Sequence, residues 1–329
     1  YIYLKPDMVT GGMAEIEELR KALTEFRMSG KPVISYIENP TNAGYYLASA
    51  SDKVYMTPHA GGVNMLTGLS SQMIFLKDIL DKLGVNVQLI RHGKYKSAGE
   101  MFIRNSPSEE NLTQNRELVE SIWNSWSEEI AAGRNITVGE FNDAVDNLEL
   151  NFPQDYVDCG LVDELLTQDE LKNKLASYSG VTDFSDVSQI GISDYALLKV
   201  VPNYKASKKV AVIYAEGDIV DGSGNNGVAA DRFASIISDV RQDESVKAVV
   251  FRVNSPGGSV LAAEKIRDEI SLLAAEKPVV ASFGDYAASG GYWISAGCER
   301  IFTNRSTLTG SIGVFSMIPD FSGTLDKIA

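Results

Sequence analysis

Three short segments hold the residues that could do chemistry. In Gly284-Asp285-Tyr286-Ala287-Ala288-Ser289-Gly290-Gly291-Tyr292-Trp293 a serine is flanked only by small residues. An apolar strand pattern, Pro278 to Phe283, precedes the segment, and Tyr292, Trp293, Ile294 and Ala296 begin an apolar helix after it. Ser289 would then present its hydroxyl on a turn at a helix N-terminus, where backbone N–H groups favour developing negative charge, which suits a nucleophile. The same position suits a plain N-cap, for which serine is preferred. The second segment is Asn254-Ser255-Pro256-Gly257-Gly258-Ser259. Its glycines would let a ligand approach bare backbone N–H groups, as an oxyanion site requires, or they simply make a strand-to-helix turn. The third, Arg91-His92-Gly93-Lys94-Tyr95-Lys96-Ser97-Ala98-Gly99-Glu100, offers an amine. Its ordinary reading is a solvated turn with Lys96 and Glu100 as a surface i, i+4 pair.

Other chemistries have little to build on. His59 and His92 are the only histidines, and Cys159 and Cys298 show no metal-ligand spacing, so neither a metal nor another cofactor is expected. Both cysteines are expected to be free, largely buried thiols. A net charge of −14 leaves nothing to neutralise phosphates, which argues against a nucleic-acid partner. With 44% hydrophobic and 22% charged residues, the 329-residue chain has ample material for a core and the length of about two domains. No apolar run approaches the roughly 18 residues that span a bilayer. Tyr1-Ile2-Tyr3-Leu4 reads as the tail of a strand without an initiator Met, so the chain reads as a fragment of a longer protein.

The elements that must position these segments repeat. Gly11-Gly12 and Lys31-Pro32-Val33 recur 246 residues later as Gly257-Gly258 and Lys277-Pro278-Val279. Gly44-Tyr45 and Lys53-Val54-Tyr55 match Gly291-Tyr292 and Arg300-Ile301-Phe302 at an offset of 247, and Leu80-Asp81-Lys82-Leu83 echoes Leu325-Asp326-Lys327-Ile328 at 245. Each copy reads as strand, Gly-Gly turn, helix, strand, turn, helix, strand. In the second copy Lys247 to Val253 is a buried strand, Leu261 to Ala275 a helix and Pro278 to Phe283 the next strand. This alternation predicts an α/β class with a largely parallel sheet. The copies are placed at 1–180 and 208–329, the first carrying a helical insert at about 104–180 and the second truncated. A Gly-, Ser- and Asp-rich linker at 181–207 joins them, and the strand Val210 to Ala215 opens the second copy. Within the insert, Glu109 to Ala132 places Leu118, Ile122 and Trp126 on one face of a helix. Thr137 to Leu148 and Thr167 to Tyr178 are further helices.

Pro256-Gly257-Gly258, the Gly284–Tyr292 serine segment and Thr309-Gly310-Ser311-Ile312-Gly313 together resemble the active-site region of the bacterial signal peptide peptidase A family. Gly93-Lys94-Tyr95-Lys96-Ser97-Ala98 is similar to the lysine segment of that family's long, duplicated form. The resemblance implies a Clp protease/crotonase-like fold in two tandem homologous domains. It implies Ser289 as nucleophile, Lys96 as general base, Ser311 orienting the amine, and the N–H groups of Gly257 and Gly290, with Gly258 as a further choice, as oxyanion donors. It further implies apolar peptide substrates such as residual signal peptides, a homo-oligomer, and a membrane anchor outside this chain. The location implied is the bacterial inner membrane, with the catalytic face on the periplasmic side. The helix around Trp123 and Trp126 is a candidate contact surface for assembly.

The repeat supports the same pairing independently of the resemblance. Ser289 aligns with Asn42, so the first copy has no hydroxyl there, while the counterpart of Lys96 falls beyond Ala329. One copy holds the base and the other the nucleophile. A lysine with a pKa of about 10.4 is almost wholly protonated at pH 7. Burial that lowered it by about three units, near 4 kcal/mol, would leave roughly a third as free base. Ala98, Met101 and Phe102 could supply that burial, and Glu100 is expected to point elsewhere. Rival readings are a crotonase-type acyl-CoA hydratase or isomerase, a Clp-like triad through His59 or His92, and a catalytically inactive scaffold homologue.

Overall fold

The computed structural model describes residues 1–59, 66–199 and 206–328. It is a mixed α/β protein whose main sheets are parallel, as the alternating pattern predicts. Its contacts divide the chain into two units, Tyr1–Leu69 with Trp123–Ser207, and Ser70–Ile122 with Lys208–Ala329. Neither unit is continuous in sequence.

The first unit is built on four parallel strands in the order Ile2–Leu4, Val33–Ile37, Lys53–Met56 and Glu164–Leu165. Val33–Ile37 is buried at every position, as a strand covered on both faces must be. Helices Val138–Asp146 and Gln168–Tyr178 start where the sequence places Thr three residues before Glu. Thr137 with Glu140 and Thr167 with Glu170 each form a capping box that satisfies the orphan N–H groups of the first turn. Of the three apolar residues expected on one face of helix Glu109–Arg134, Ile122 and Trp126 are buried and Leu118 is exposed. The Trp126 ring stacks on Tyr46 at 4.4 Å, and Trp123 stacks on Phe141 while donating to Asn142. Both indoles pack inside the unit, Trp126 buried and Trp123 half-buried.

The second unit carries four parallel strands in the order Arg300–Phe302, Val279–Ala288, Val246–Ser255 and Lys209–Glu216. Val249, Phe251 and Val253 alternate into a core closed by Ile266, Ile270 and Leu273 of helix Val260–Glu276 and by Phe283 of the neighbouring strand. Each such buried side chain contributes about 1.5–3 kcal/mol. The strand expected to end at Phe283 runs five residues further, to Ala288. A register shift between Phe283 and Ala287 lets it do so, and a short parallel strand, Leu308–Gly310, pairs with its extension. The glycine at 284 therefore marks a bulge inside a strand, not the end of one. Cys159 and Cys298 are free, as expected, but half-buried.

Candidate active site

Ser289 stands where the extended strand meets helix Gly290–Ser295. Its place is fixed by a ladder of local bonds. The Ser289 N–H donates to the Gly310 carbonyl (2.8 Å), the Thr309 hydroxyl to the Ala287 carbonyl (2.8 Å) and the Thr307 hydroxyl to the Gly284 carbonyl (2.9 Å). At the bulge, the Tyr286 N–H has lost its ladder partner and donates instead to Asn254 Oδ1 (3.0 Å). The helix is drawn against the adjoining strand because residue 291 has no side chain: a Cβ there would lie 2.4 Å from the Ser255 carbonyl oxygen.

Ser289 occupies the N-cap position without behaving as a cap. Its side chain makes no capping bond, and its backbone sits at φ 53°, ψ −116°, far from the extended geometry of a relaxed cap. A non-glycine residue held there carries strain on the order of 1–3 kcal/mol. What the hydroxyl meets instead is Lys96, whose Nζ lies 3.1 Å from Ser289 Oγ. The same Nζ donates to the Ser311 carbonyl oxygen at 2.6 Å and to the Ser311 hydroxyl at 3.0 Å.

Residues so far apart in sequence meet through a two-stranded antiparallel sheet. Strand Asn86–Arg91 pairs with Phe315–Asp320, with Arg91 opposite Phe315. The loop after Arg91 is thereby laid beside the loop before Phe315. Gly313 marks the contact, since a Cβ on it would sit 3.9 Å from Lys96 Cδ. Positive φ at Gly310 (84°) and Ser311 (48°) turns the second loop so that both oxygens of Ser311 face the amine. Lys96 is only 7% exposed, and burial lowers its pKa from the ordinary lysine value. The carboxylate of Glu100 turns away, taking Arg91, Ser108 and Asn111 as partners, as the sequence reading expected.

The glycine segments meet beside the serine. A Cβ on Gly257 would be 2.7 Å from the Gly290 nitrogen and 2.9 Å from Ser289 Cβ. The Gly257 N–H is engaged, donating to Ser255 Oγ at 3.2 Å. Gly258 is clamped by the short strand Ile219–Val220. The Ile219 N–H donates to the Gly257 carbonyl (2.8 Å) and the Ser259 N–H to the Ile219 carbonyl (2.9 Å). That clamp uses the groups on either side of the Gly258 N–H and leaves this N–H next to Gly290, whose missing Cβ would lie 3.3 Å from it.

The arrangement can do acid–base chemistry on a hydroxyl. A neutral amine has two N–H bonds and one lone pair; with the N–H bonds on Ser311, the lone pair is left for the Ser289 proton. Sequence reading quotes Asn254 and Thr309 without a role and passes over Thr307, because a side chain that supports a bulged strand is recognisable only once the bulge is known. Arg91 lay in a quoted segment but carried no assigned role.

The sequence profile of peptidase family S49 matches residues 25–182 and 271–329. Protease 4 of Haemophilus influenzae is 37% identical over 318 residues, 93% of this chain and 51% of that protein, and Protease 4 of Salmonella typhi is 38% identical over 94% and 51%. The chloroplastic serine protease SPPA of Arabidopsis thaliana is 32% identical over 95% of this chain and 47% of its own length. The chain thus spans about half the length of the curated relatives it matches. A profile that takes in both the lysine and the serine segment, and relatives aligned along nearly the whole chain, place it in peptidase family S49.

Proposed function

We propose that this chain forms the catalytic centre of a serine peptidase that works through a Ser289/Lys96 dyad. The observation that carries the reading is the Lys96 amine, buried, 3.1 Å from the Ser289 hydroxyl and tied by its other bonds to Ser311. Lys96 takes the hydroxyl proton as Oγ attacks a peptide carbonyl. The oxyanion that forms is met by the N–H groups of Gly258 and Gly290, with Gly257 in third place because its N–H is already engaged. Collapse breaks the C–N bond, Lys96 returns its proton to the leaving amine, and an acyl-Ser289 ester remains. Water attacks that ester, giving its proton to Lys96; collapse breaks the bond from the acyl carbon to Ser289 Oγ, Lys96 returns the proton to Oγ, and the acid leaves.

Substrates of apolar sequence, such as residual signal peptides, fit the small residues around Ser289. An oligomer, and attachment to the bacterial inner membrane with the site on its periplasmic side, belong to the same reading. Among the described residues no helix is long and apolar enough to cross a membrane; the family resemblance puts the anchor in a segment outside this chain. The Clp protease/crotonase-like fold in two tandem homologous domains, bounded at 1–180 and 208–329 about a 181–207 linker, is likewise part of the proposal. The recurrence of strand, Gly-Gly turn, helix and strand in both copies supports it. Crotonase-type acyl-CoA chemistry has no use for a lysine aimed at a serine, and the partner of Ser289 Oγ is Lys96 instead of a histidine.

The test is covalent. The chain is treated with a fluorophosphonate and the adduct mapped by mass spectrometry. Label on Ser289, lost in Lys96→Ala, is the expected result. Label elsewhere, or none on a chain that hydrolyses an apolar peptide, would overturn the assignment.

A further inference from the structure

The geometry points to Arg91 as the positioning residue of the lysine base, with Glu100 and Asn111 completing a buried clamp around its loop. This inference rests on the dyad reading above. Arg91 is the last residue of strand Asn86–Arg91, and its guanidinium faces two ways. One nitrogen donates to the backbone carbonyl of Lys96 at 2.9 Å, and the other pairs with Glu100 at 3.0 Å. Glu100, four residues beyond Lys96, is 1% exposed. Burial alone would raise its pKa. Hydrogen bonds from the Ser108 N–H (3.1 Å), the Ser108 hydroxyl (2.8 Å), Arg91 and Asn111 Nδ2 (3.2 Å) outweigh that effect and hold it below the usual carboxylate value.

Asn111 closes the circuit. Its Oδ1 accepts from the hydroxyl of Ser97, the residue next to the base, at 3.2 Å. The loop is pinned at its far end too, where a Cβ on Gly99 would lie 2.3 Å from Leu89 of the same strand. Lys96 thus rides on a loop held on both sides, with its own carbonyl anchored.

A surface turn needs none of this. Burying a carboxylate without partners is strongly unfavourable, so a fully paired one at the root of a short loop fixes that loop in one place. A lysine side chain has four rotatable bonds and a large rotamer entropy to lose. Fixing its backbone is the means by which the amine keeps both oxygens of Ser311 and stays out of water. If the anchor slackens, water reaches Nζ and its pKa returns toward the ordinary value. The charged and titratable groups on the elements that meet at the amine are Arg91, His92, Lys94, Tyr95 and Glu100 on the strand and loop of the lysine, Lys94 being paired with Glu110 at 3.2 Å, Asp285 and Tyr286 on the strand that carries Ser289, and Asp320 on the strand after Ser311. Ser289 and Ser311, which touch Nζ, carry no charge.

The test follows the rate of Ser289 phosphonylation between pH 6 and 10 in the wild-type, Arg91→Lys, Asn111→Ala and Lys96→Ala chains, with thermal melts alongside. Arg91→Lys keeps a cation for Glu100 but cannot hold the Lys96 carbonyl at the same time. It should melt near the wild type, react about tenfold more slowly at its plateau, and titrate at a higher apparent pKa. Asn111→Ala should lower the plateau rate by about threefold and raise the apparent pKa, and it decides alone if Arg91→Lys does not fold. A lowered melting temperature with unchanged plateau and pKa would mean a structural role only and would overturn the inference. If Lys96→Ala reacts as fast as the wild type, the dyad reading fails instead, whatever Arg91 does.

Discussion

Two strand–turn–helix passages of this chain are built alike and used differently. In the first, strand Val33–Ile37 leads to helix Asn42–Ala48; in the second, strand Val279–Ala288 leads to helix Gly290–Ser295. Both helices are pressed onto backbone through a glycine. A Cβ on Gly44 would lie 2.1 Å from the Pro6 carbonyl oxygen, and one on Gly291 2.4 Å from that of Ser255. The turns diverge. Thr41 is a relaxed cap at φ −76°, ψ 159°, its hydroxyl accepting from the Gly44 N–H at 3.0 Å. Asn42, aligned with Ser289, donates to the Gly68 carbonyl (2.7 Å) and accepts from the Thr67 N–H (3.1 Å). The side chains of Thr41 and Asn42 are both spent on the fold. Ser289 caps nothing, sits at positive φ, and keeps its hydroxyl for Lys96. The same scaffold yields a structural turn when its polar groups face inward and a reactive one when they are withheld.

The largest effect that could break this contrast is on catalysis. Ser289→Ala and Lys96→Ala are each expected to lower kcat/KM on an apolar peptide by about a thousandfold or more with the fold retained. Asn42→Ala should leave kcat/KM within about twofold, and so should replacing both histidines. Steady-state assays beside circular dichroism decide it. A loss in His92→Ala as deep as in Ser289→Ala would end the dyad account.

Next in size is the dependence on pH. Burial lowers the Lys96 pKa, so the free-base fraction, and with it the rate, should rise through one apparent pKa below the ordinary lysine value of about 10.4. Ser311→Ala removes one of the two groups that orient the amine and should lower the plateau about tenfold. A flat profile from pH 6 to about 9.5 would show that the neutral amine is not the base. Linkage has the same sign. Between the folded and unfolded pKa values the unfolded chain binds more protons at Lys96, so stability should gain with rising pH in that window. Lys96→Met should remove this contribution.

The glycine pair tests the shared scaffold. Gly44→Ala and Gly291→Ala each drive a methyl into a carbonyl oxygen and should destabilise their own passage by about 1–3 kcal/mol or more in denaturant unfolding. An innocuous Gly44→Ala would show that the two helices are not held by the same device.

How far the sequence carried this picture depended on which contacts were local. Strands and helices followed the hydrophobic period, and both capping boxes could be read from Thr and Glu three residues apart. The serine turn is legible because small residues crowd it, and the 247 offset sets Asn42 against Ser289. The strand extension to Ala288 was not legible. It depends on pairing with Leu308–Gly310, a three-residue strand with no periodic signal, and on Asn254 repairing the bulge. Nor was the approach of Lys96 to Ser311, 215 residues away, which follows from the pairing of Asn86–Arg91 with Phe315–Asp320. Glu100 is expected to turn away from the amine, yet the reason, its own burial against the Arg91 guanidinium, is hidden in a segment that reads as a surface turn.

The smallest effect is the sharpest test of the comparison, because the two turns should respond with opposite signs. Ser289 holds φ 53°, ψ −116°, a conformation that glycine adopts freely and an L side chain does not. Ser289→Gly should therefore stabilise the chain by roughly 1 kcal/mol while removing the nucleophile. Asn42 lies in a relaxed helical turn and holds Gly68 and Thr67 through its side chain. Asn42→Gly should cost about 1–2 kcal/mol, from two lost hydrogen bonds and the greater backbone freedom of glycine. Urea unfolding of both variants reads the difference directly. Equal destabilisation would mean that the positive φ at Ser289 stores nothing, and that the serine turn is as comfortable as its counterpart.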